Sequence, residues 1–409
     1  MKICVIGGGL TGLSAAYRLR HEEQIDLYEK DAVLGGCLSS YGSGDTRIER
    51  FYHHCFSGDR MLLALIDDLG LTGRLEWRTA STGYYAGGTL YPLTTPADIL
   101  RYPHLGLLDK ARLALLTLRS RSFDREALDA VTAKDFITGH LGTRVYQSFF
   151  EPLLRSKFGA MRDSVSAAWL VSRIAIRSDR GPAGERLGYL EGGFHHLIGG
   201  LEHRLTADGC RIMTGTPVTS LSRAEPGWEV NGEPYDAVIS TMAPHELARI
   251  GGPRLPAIPY QGAACMTLAL GRDVCGGIYW INMKDDAPYG AVIGHTNFIP
   301  EERYGEHMIY LASYFRGRPA EDAGERMLED FCRRFSVDPG EIHWHSLGVE
   351  PSAGPVYTTG YRHLIPGYAQ DGLFLAGMFS RPNYPERSME GSVQAGSDVA
   401  ALVSGVRTR

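Results

Sequence analysis

The first residues of the chain contain a glycine spacing that suits nucleotide binding. Gly7, Gly9 and Gly12 form G-x-G-x-x-G directly after the apolar, β-branched run Lys2–Ile6. In a strand-turn-helix unit the first glycine permits the tight turn, the second admits a pyrophosphate close to the backbone, and the third lets the helix pack on the strand. The free N–H groups and the dipole at the start of the helix favour a diphosphate there.

A carboxylate follows at the position that a dinucleotide-binding unit requires. Ile25–Tyr28 is predicted to be a second strand, and Glu29 comes directly after it, 22 residues after Gly7. Such a carboxylate accepts hydrogen bonds from the hydroxyl groups of an adenosine ribose. Strand, turn, helix, second strand and acid therefore predict an adenosine dinucleotide site, and a glycine-rich turn without a ligand is the competing interpretation.

The motif continues beyond this unit with Lys30 and with the run Leu34-Gly35-Gly36-Cys37. An acid followed six residues later by Gly-Gly resembles the FAD-binding signature of the glutathione-reductase-like flavoproteins. More narrowly, it resembles the group that contains flavin amine oxidases, protoporphyrinogen oxidases, carotenoid and squalene desaturases and UDP-galactopyranose mutases. The resemblance implies bound FAD. Because no cysteine lies in the C-terminal part of the chain, we expect this FAD to be bound non-covalently. Many members have arginine where this chain has Cys37, so one phosphate contact is expected from elsewhere.

A middle segment resembles a second FAD-binding region of the same group. The run Tyr189–Phe194 precedes a predicted helix at His195–Leu205, and Pro217–Leu221 and Ala237–Ser240 are predicted strands. The resemblance implies that the backbone of Val218 holds the adenine, and a plain core residue is the alternative for this valine.

The C-terminal part resembles the last motif of the group. A strand at Gly372–Gly377 is followed by a predicted helix at Ser388–Val403, whose N-terminus is expected to point at the flavin ring and ribityl chain. Many relatives have aspartate where this chain has Met378. In full, the expected FAD-binding residues are Gly7, Gly9, Leu10, Thr11, Gly12, Glu29, Lys30, Gly35, Gly36, Cys37, Val218, Gly377, Met378, Ser388, Gly391 and Ser392.

A histidine pair shortly after the Gly-Gly segment is the first catalytic candidate. The run Phe51–Phe56 contains His53 and His54, and it resembles the stretch that places a histidine over the flavin in the mutases. An imidazole donates or accepts a proton near neutral pH, so we predict that His53 is catalytic. Structural histidines, or covalent flavin attachment at either one, are the alternatives.

A later stretch supplies two further catalytic candidates, His295 and Tyr310. The segment Ala287–Phe298 also resembles the mutases, but the position of their diphosphate-clamping arginine corresponds here to Ala291. This difference argues against a UDP-sugar substrate unless Arg303 or Arg316 replaces the contact. For Tyr310 and Tyr314 the alternative is sheet packing, since their spacing places both on one strand face.

Several other charged or metal-ligating groups have competing interpretations. Arg155 and Lys157 are candidates for contact with an acidic substrate group, and a solvated charged face is the favoured interpretation. The histidines of His343–His345 lack a nearby third ligand, so we predict no metal. The predicted strand Gly262–Leu270 lacks the lysine that flavin amine oxidases commonly place near the flavin. No second G-x-G-x-x-G indicates a separate NAD(P)H domain.

Composition limits the setting in which these motifs act. The chain has 409 residues, more than one core of about 250–300 residues normally organises, so two lobes are expected. The net charge of −5 indicates no broad positive field that would attract a phosphate backbone, which argues against a nucleic-acid partner. Seven cysteines without a CxxC pair argue against disulfides and zinc and favour the cytoplasm. The stretch His104–Leu118 is expected to be an amphipathic helix, with membrane-surface contact as the less favoured alternative.

The predicted fold class is α/β. A Rossmann-like, glutathione-reductase-type FAD-binding domain is expected from residues 1–85, 188–245 and 346–409. Residues 86–187 and 246–345 are expected to form a mixed α+β substrate lobe, with an antiparallel sheet over the flavin and helices beside it.

The function predicted from these features is that of an FAD-dependent oxidoreductase. It would remove hydride from a C–C, C–O or C–N bond of a medium-sized small-molecule substrate, with oxygen or a quinone as the acceptor. A specialised biosynthetic pathway is one setting for such a substrate. A flavin-dependent sugar pyranose–furanose mutase is the alternative enzyme, and a flavin-containing binding protein without turnover is the third hypothesis. The oligomeric state does not follow from the sequence.

Overall fold

A computed structural model of the chain describes residues 1–43, 46–177, 185–370 and 372–406. The helices in this part are α1 Leu10–Leu19, α2 Arg60–Asp68, α3 Pro96–Arg101, α4 Leu107–Arg119, α5 Arg125–Asp129, α6 Ala133–Leu141, α7 Thr143–Val145, α8 Glu151–Phe158, α9 Ala167–Arg177, α10 His195–Ala207, α11 Pro244–Arg249, α12 Ala323–Phe335 and α13 Met389–Val406. The strands are β1 Lys2–Ile6, β2 Gln24–Tyr28, β3 Ser40–Ser43, β4 Thr46–Glu49, β5 Leu75–Ala80, β6 Thr82–Ala86, β7 Thr89–Pro92, β8 Glu185–Leu190, β9 Arg211–Met213, β10 Leu221–Arg223, β11 Trp228–Val230, β12 Glu233–Tyr235, β13 Ala237–Ser240, β14 Tyr260–Leu270, β15 Trp280–Met283, β16 Ala291–Gly294, β17 His307–Phe315, β18 Ile342–Pro355, β19 Ala369–Gln370 and β20 Leu373–Leu375.

The first sheet has the strand order β19-β20-β13-β1-β2-β9. Its strands pair in parallel except for β19, which is antiparallel to β20. β1 is almost wholly buried, as its continuous apolar sequence requires in a parallel sheet covered on both faces. The carboxyl ends of β1, β2 and β13 meet at one edge, which is where open α/β sheets bind their ligands.

The helix after the glycine turn packs tightly on the C-terminal helix. A Cβ on Gly396 of α13 would lie only 2.9 Å from the Cβ of Ser14 on α1. Glycine at position 396 is therefore needed for this close approach. The contact joins the first and last segments of the chain beside the same sheet edge.

The second sheet has the order β18-β14-β17-β16-β15-β6-β7 and is antiparallel except for the β15–β6 pair. Together with the parallel first sheet it confirms the predicted α/β class with a second, mixed lobe. The predicted strand Gly262–Leu270 matches β14 closely. The sequence also predicts strands at Gly290–His295 and Met308–Tyr314, and these match β16 and β17.

Two predicted boundaries fall inside strands of the second sheet. The boundary at 85/86 cuts β6, and the boundary at 345/346 cuts β18. β6 pairs with β15 and β18 pairs with β14, so both strands belong as a whole to the second sheet. We therefore propose lobe boundaries at about residue 81, just before β6 begins, and at about residue 356, just after β18 ends.

Two local predictions differ from the structure. Pro217–Leu221 was expected to be a strand, but residues 216–220 form a loop and β10 begins only at Leu221. The helical spacing of Arg144–Leu154 predicts one continuous helix, but a π-helical turn at Tyr146–Phe150 separates α7 from α8. Val218 therefore stands on a loop, where its backbone is not committed to a strand pair.

All seven cysteines lie in the described part of the chain, and each is a free thiol. None of the helices in the described ranges has the length and apolarity needed to cross a bilayer.

Candidate active site

The first glycine turn and Glu29 form one connected unit. The Gly8 N–H donates to Glu29 Oε2 at 2.7 Å, and the Asp31 N–H donates to Glu29 Oε1 at 2.9 Å. These bonds hold the carboxylate at the end of β2 against the turn that follows β1. Gly7 has φ +107°, and a side chain there would collide with the Thr241 hydroxyl. This position therefore requires glycine.

Gly9 and Gly12 differ in what surrounds them. Gly9 has φ −75°, and a Cβ at this residue would meet no protein atom within 4 Å. A Cβ on Gly12 would collide with the carbonyl oxygen of Gly7. Gly12 thus serves helix packing, whereas Gly9 borders open space at the N-terminus of α1, as a turn that receives a diphosphate requires.

The Gly-Gly loop lies directly beside this turn. Gly35 and Gly36 have φ +110° and +55°, and the Gly35 N–H donates to the Gly8 carbonyl at 2.9 Å. Burial raises the pKa of the neighbouring Cys37 thiol to about 11, so the thiol stays protonated at neutral pH. Cys37 therefore places a neutral group where many members of the group have the positive charge of arginine.

A cavity of about 1300 Å³ connects these segments. All the predicted FAD-binding residues line it except Gly12 and Gly391. Gly391 lies within the start of α13, where a Cβ would come within 2.7 Å of the Pro382 carbonyl oxygen, so it acts in packing. Val218 lines the cavity from its loop. The open cradle at Gly9, the adjacent carboxylate and the helix N-terminus together fit FAD.

The C-terminal segment closes this end of the cavity. Gly377, Met378, Ser388 and Ser392 line it, as expected for the start of α13. Glu390 accepts hydrogen bonds from the Met61 and Leu62 N–H groups at 3.0 and 2.8 Å. This carboxylate therefore joins the start of α13 to the first turn of α2.

His53 lines the cavity beyond the glycine loops. Its Nδ1 lies 2.7 Å from the Phe51 carbonyl oxygen, which can only accept, so Nδ1 carries the hydrogen. Burial lowers the pKa of His53 to about 4. At neutral pH the ring is therefore neutral, and Nε2 retains the lone pair that can accept a proton or hydrogen bond.

Aromatic side chains surround the same region. Tyr52 packs edge-on against Trp280, with ring centroids 4.9 Å apart, and its hydroxyl lies 3.1 Å from that of Tyr314. All three residues line the cavity. Such an arrangement excludes water and presents flat apolar surfaces to a bound molecule.

A charged cluster faces the aromatic group. Glu386 Oε1 accepts from Arg173 at 2.6 Å and from Lys157 at 3.4 Å. Burial lowers the pKa of Lys157 to about 7, although Glu386 opposes this shift. Arg387 also lines the cavity, and it forms no hydrogen bond or ion pair with any residue of the described part. The cluster thus offers an unengaged guanidinium to an anionic group.

Sequence reasoning missed most of this cluster. The sequence made Lys157 and Arg155 candidates but favoured a solvated charged face for both. Lys157 instead lines the cavity. Arg155 donates to the Lys284 carbonyl at 3.2 Å and lies outside the cavity lining. Arg173 and Arg387 carried no local signal, because one lies within a helix and the other in an irregular loop. Gly354 opposite Arg387 makes room for it, since a Cβ there would lie 2.7 Å from the guanidinium.

Beyond the charged cluster the cavity continues into an apolar chamber between the second sheet and the helices. Its wall combines aromatic and aliphatic side chains, among them Tyr84, Tyr102, Leu113, Phe149, Leu153, Trp169 and Ile174. A molecule bound here would be held mainly by burial of apolar surface.

The two other predicted catalytic residues lie outside the cavity lining. Tyr310 is fully buried, and its hydroxyl donates to the Glu49 carbonyl at 2.9 Å. His295 is 2% exposed, and its Nε2 lies 2.8 Å from the Tyr304 hydroxyl. Burial and these hydrogen bonds place Tyr310 of β17, and His295 in the turn directly after β16, in the packing of the protein. We assign neither of them a direct catalytic role in the function proposed below.

The anion clamp expected in a mutase has no evident replacement at the positions considered. Ala291 lines the cavity, as its correspondence with the clamp position implies. Arg303 lies 2.5 Å from Glu76 in an ion pair, and Arg316 is exposed; neither lines the cavity.

Among the residues that the structure describes, no group of three metal-ligating side chains is present, and His343 pairs with Glu306 at 2.6 Å.

Comparison with known proteins agrees with this geometry. The family model for flavin containing amine oxidoreductase matches residues 10–404. A coproporphyrinogen III oxidase from Mycobacterium tuberculosis is 26% identical over 406 residues, covering 86% of this chain and 87% of the relative.

Solved structures resemble the whole fold. A protein assigned as a protoporphyrinogen oxidase from Exiguobacterium sp. 255-15 aligns with a TM-score of 0.78 at 20% identity, over 98% of both chains. Reduced UDP-galactopyranose mutase aligns with a TM-score of 0.77 at 17% identity, over 100% of this chain and 96% of the mutase. Given the family match over nearly its whole length and the site that fits FAD, the chain belongs to the flavin containing amine oxidoreductase family and is an FAD-dependent oxidoreductase.

Proposed function

We propose that the chain is a dehydrogenase or oxidase that removes hydride from a C–C, C–O or C–N bond of a medium-sized, mainly apolar substrate carrying an anionic group. One observation carries this proposal: a single cavity runs from the nucleotide-binding turns, past His53 and the charged cluster, into the apolar chamber. FAD, when bound, supplies the acceptor for the hydride. The protein must bind the substrate, orient it and receive the accompanying proton.

The side chains divide these tasks by their chemistry. Arg387 and Arg173 remain protonated and would hold the anionic group. Tyr52 and Trp280 would exclude water and orient the apolar body. Proton handling falls to His53 Nε2, which has a lone pair at neutral pH, with Lys157 as a second group whose pKa of about 7 allows it to exchange a proton there.

The names of the relatives support the oxidation of a medium-sized metabolite. The Mycobacterium tuberculosis relative is named for coproporphyrinogen III, so a tetrapyrrole is one substrate class within the proposal. The free thiols support the predicted cytoplasmic location.

Anaerobic titration of the purified holoenzyme with metabolites of candidate pathways tests the proposal. Oxidised flavin absorbs near about 375 and 450 nm, and a true substrate should bleach the longer-wavelength band. His53→Gln should retain FAD and slow this reduction in a single turnover by about 100-fold or more, as loss of a positioned proton acceptor does. An unchanged single-turnover rate would remove the role of His53.

The same preparation separates the other hypotheses. A mutase would need its flavin reduced beforehand and would show no net oxidation of substrate. The alanine at position 291 and the engagement of Arg303 with Glu76 do not favour that reaction. A holoenzyme whose flavin no metabolite bleaches would favour a binding protein without turnover.

A further inference from the structure

The helix α4 turns its apolar side chains outward. Leu107, Leu108, Leu115 and Leu118 are 75%, 74%, 55% and 81% exposed, and Ala111 between them is exposed as well. At 100° per residue these positions fall on one face of the helix. A surface helix normally directs such a face into the core, so the orientation of α4 is the reverse of the usual one.

The opposite face of α4 is fixed by polar contacts. Asp109 is 4% exposed and forms an ion pair with Arg144. Lys110 is 9% exposed, and its Nζ donates to the Leu100 carbonyl of α3 at 2.6 Å. Because these inward-facing groups are satisfied and Leu116 is buried beside them, the leucines on the other face remain outside.

The exposed face adjoins the cavity. Leu107 and Leu118 belong both to the outer surface and to the cavity wall. Leu100 of the neighbouring helix α3 is 62% exposed and lines the cavity as well. The apolar chamber therefore opens through the region where the protein exposes its leucines.

Positive charge borders this apolar face. Arg101, Arg112 and Arg119 are exposed, and the single acidic residue between positions 100 and 121 is Asp109, which is buried. A second copy docked on this face about a two-fold axis would bring the same arginines together. Anionic lipid head groups would instead pair with them while the leucines enter the acyl region.

We propose that α3 and α4 dock the protein on the surface of a bilayer that contains anionic lipids, and that an apolar substrate passes between the bilayer and the cavity through this face. α4 would lie in the plane of the interface, since its 13 residues correspond to about 20 Å of helix. The docking is independent of the proposed function, whereas the passage of substrate rests on it.

Flotation of the full-chain holoenzyme with vesicles tests the docking. We expect binding to phosphatidylcholine vesicles containing about 30% phosphatidylglycerol, and weaker binding to phosphatidylcholine alone. The double variant Leu108→Glu/Leu115→Glu should bind at least about 100-fold more weakly, since each buried leucine contributes about 1.5–3 kcal/mol. Neither leucine lines the cavity, so the FAD content and the reduction of the flavin by dithionite should stay unchanged.

A charge variant and two controls complete the test. Arg112→Gln/Arg119→Gln should lower affinity for the anionic vesicles about 30-fold, because each basic residue near such a surface contributes about 1 kcal/mol. Leu402→Glu changes a 43% exposed leucine on α13, and Arg326→Gln changes an exposed arginine on α12. Both controls should bind vesicles like the wild type.

Three results would overturn the proposal: no vesicle binding by the wild type, equal binding by the Leu108→Glu/Leu115→Glu variant, or a wild-type dimer that this variant converts to monomer without any vesicle binding. Sedimentation velocity measures the last of these. Vesicle binding requires no turnover. A holoenzyme that binds vesicles but has a flavin that no metabolite reduces would contradict the proposed function and leave the docking intact.

Discussion

Replacing Gly9 with alanine isolates the nucleotide-binding role of the first turn, because the added methyl group meets no protein atom within 4 Å. The residue has φ −75° and ψ 176°, which alanine adopts without strain. Alanine restricts the unfolded chain more than glycine does, which stabilises the folded protein by about 0.4–1 kcal/mol. Alanine is also a poorer helix N-cap than glycine, which destabilises the folded protein by a similar amount. The free energy of unfolding of the FAD-free protein should therefore change by less than about 1 kcal/mol.

The effect on FAD binding should be much larger. The methyl group would occupy the space through which a diphosphate approaches the N–H groups at the start of α1. Loss of two hydrogen bonds to a charged group costs about 3–6 kcal/mol, at about 1.5–3 kcal/mol each. The dissociation constant of FAD should rise at least about 100-fold. Quenching of flavin fluorescence during titration of FAD-free protein measures this change.

Two glycine variants serve as controls for this experiment. Gly12→Ala should destabilise the FAD-free protein itself, because its Cβ collides with the Gly7 carbonyl. Gly139→Ala lies within α6, where a Cβ meets nothing within 4 Å, and should leave FAD affinity unchanged. If Gly9→Ala binds FAD with wild-type affinity, this turn does not receive the diphosphate and the reasoning from the motif is wrong.

Three further predictions concern charges and buried histidines. Lys157→Gln should remove a pH inflection near 7 from the rate of flavin reduction, because the pKa of Lys157 is about 7. Glu386 should stay paired with Arg173, which lies 2.6 Å from it. Stopped-flow measurement of the rate against pH tests this, and an inflection that persists in the variant would contradict it. Arg387→Met should raise KM for an anionic substrate about 10- to 100-fold with unchanged FAD content, because a charge-assisted hydrogen bond contributes about 1.5–3 kcal/mol. Steady-state kinetics measure this change, and an unchanged KM would show that Arg387 does not hold the substrate. Burial lowers the pKa of His295 from 6.5 to about 3, so the unfolded chain binds the extra proton between these values and stability falls as pH falls. His295→Gln should reduce this slope by up to about 1.4 kcal/mol per pH unit in urea titrations, and an unchanged slope would show that His295 does not titrate in this way.

The sequence was most informative at the first motif, where all the residues of the signal lie close together in the chain. Gly7, Gly9, Gly12 and Glu29 form a motif whose strands and helix are adjacent in the chain, and the structure has them in the predicted arrangement. The strand at Pro217–Leu221 was predicted wrongly, because the β-branched residues of this run favour a strand locally, whereas strand pairing depends on segments elsewhere in the chain.

The tertiary structure decided what the motifs leave open. Lys157, Arg173 and Arg387 come from three distant segments, and nothing in their local sequence shows that one cavity contains all of them. The outward turn of the α4 leucines likewise depends on the contacts of Lys110 with α3 and of Asp109 with Arg144.

The chain's sequence by itself determined a nucleotide-binding unit of the flavoprotein type, because glycine conformation and strand-helix order act over a few tens of residues. Only the tertiary structure decided which charges face the substrate space and which leucines face outward. Burial and pairing arise between segments far apart in the chain, and they set both the pKa of a side chain and its exposure.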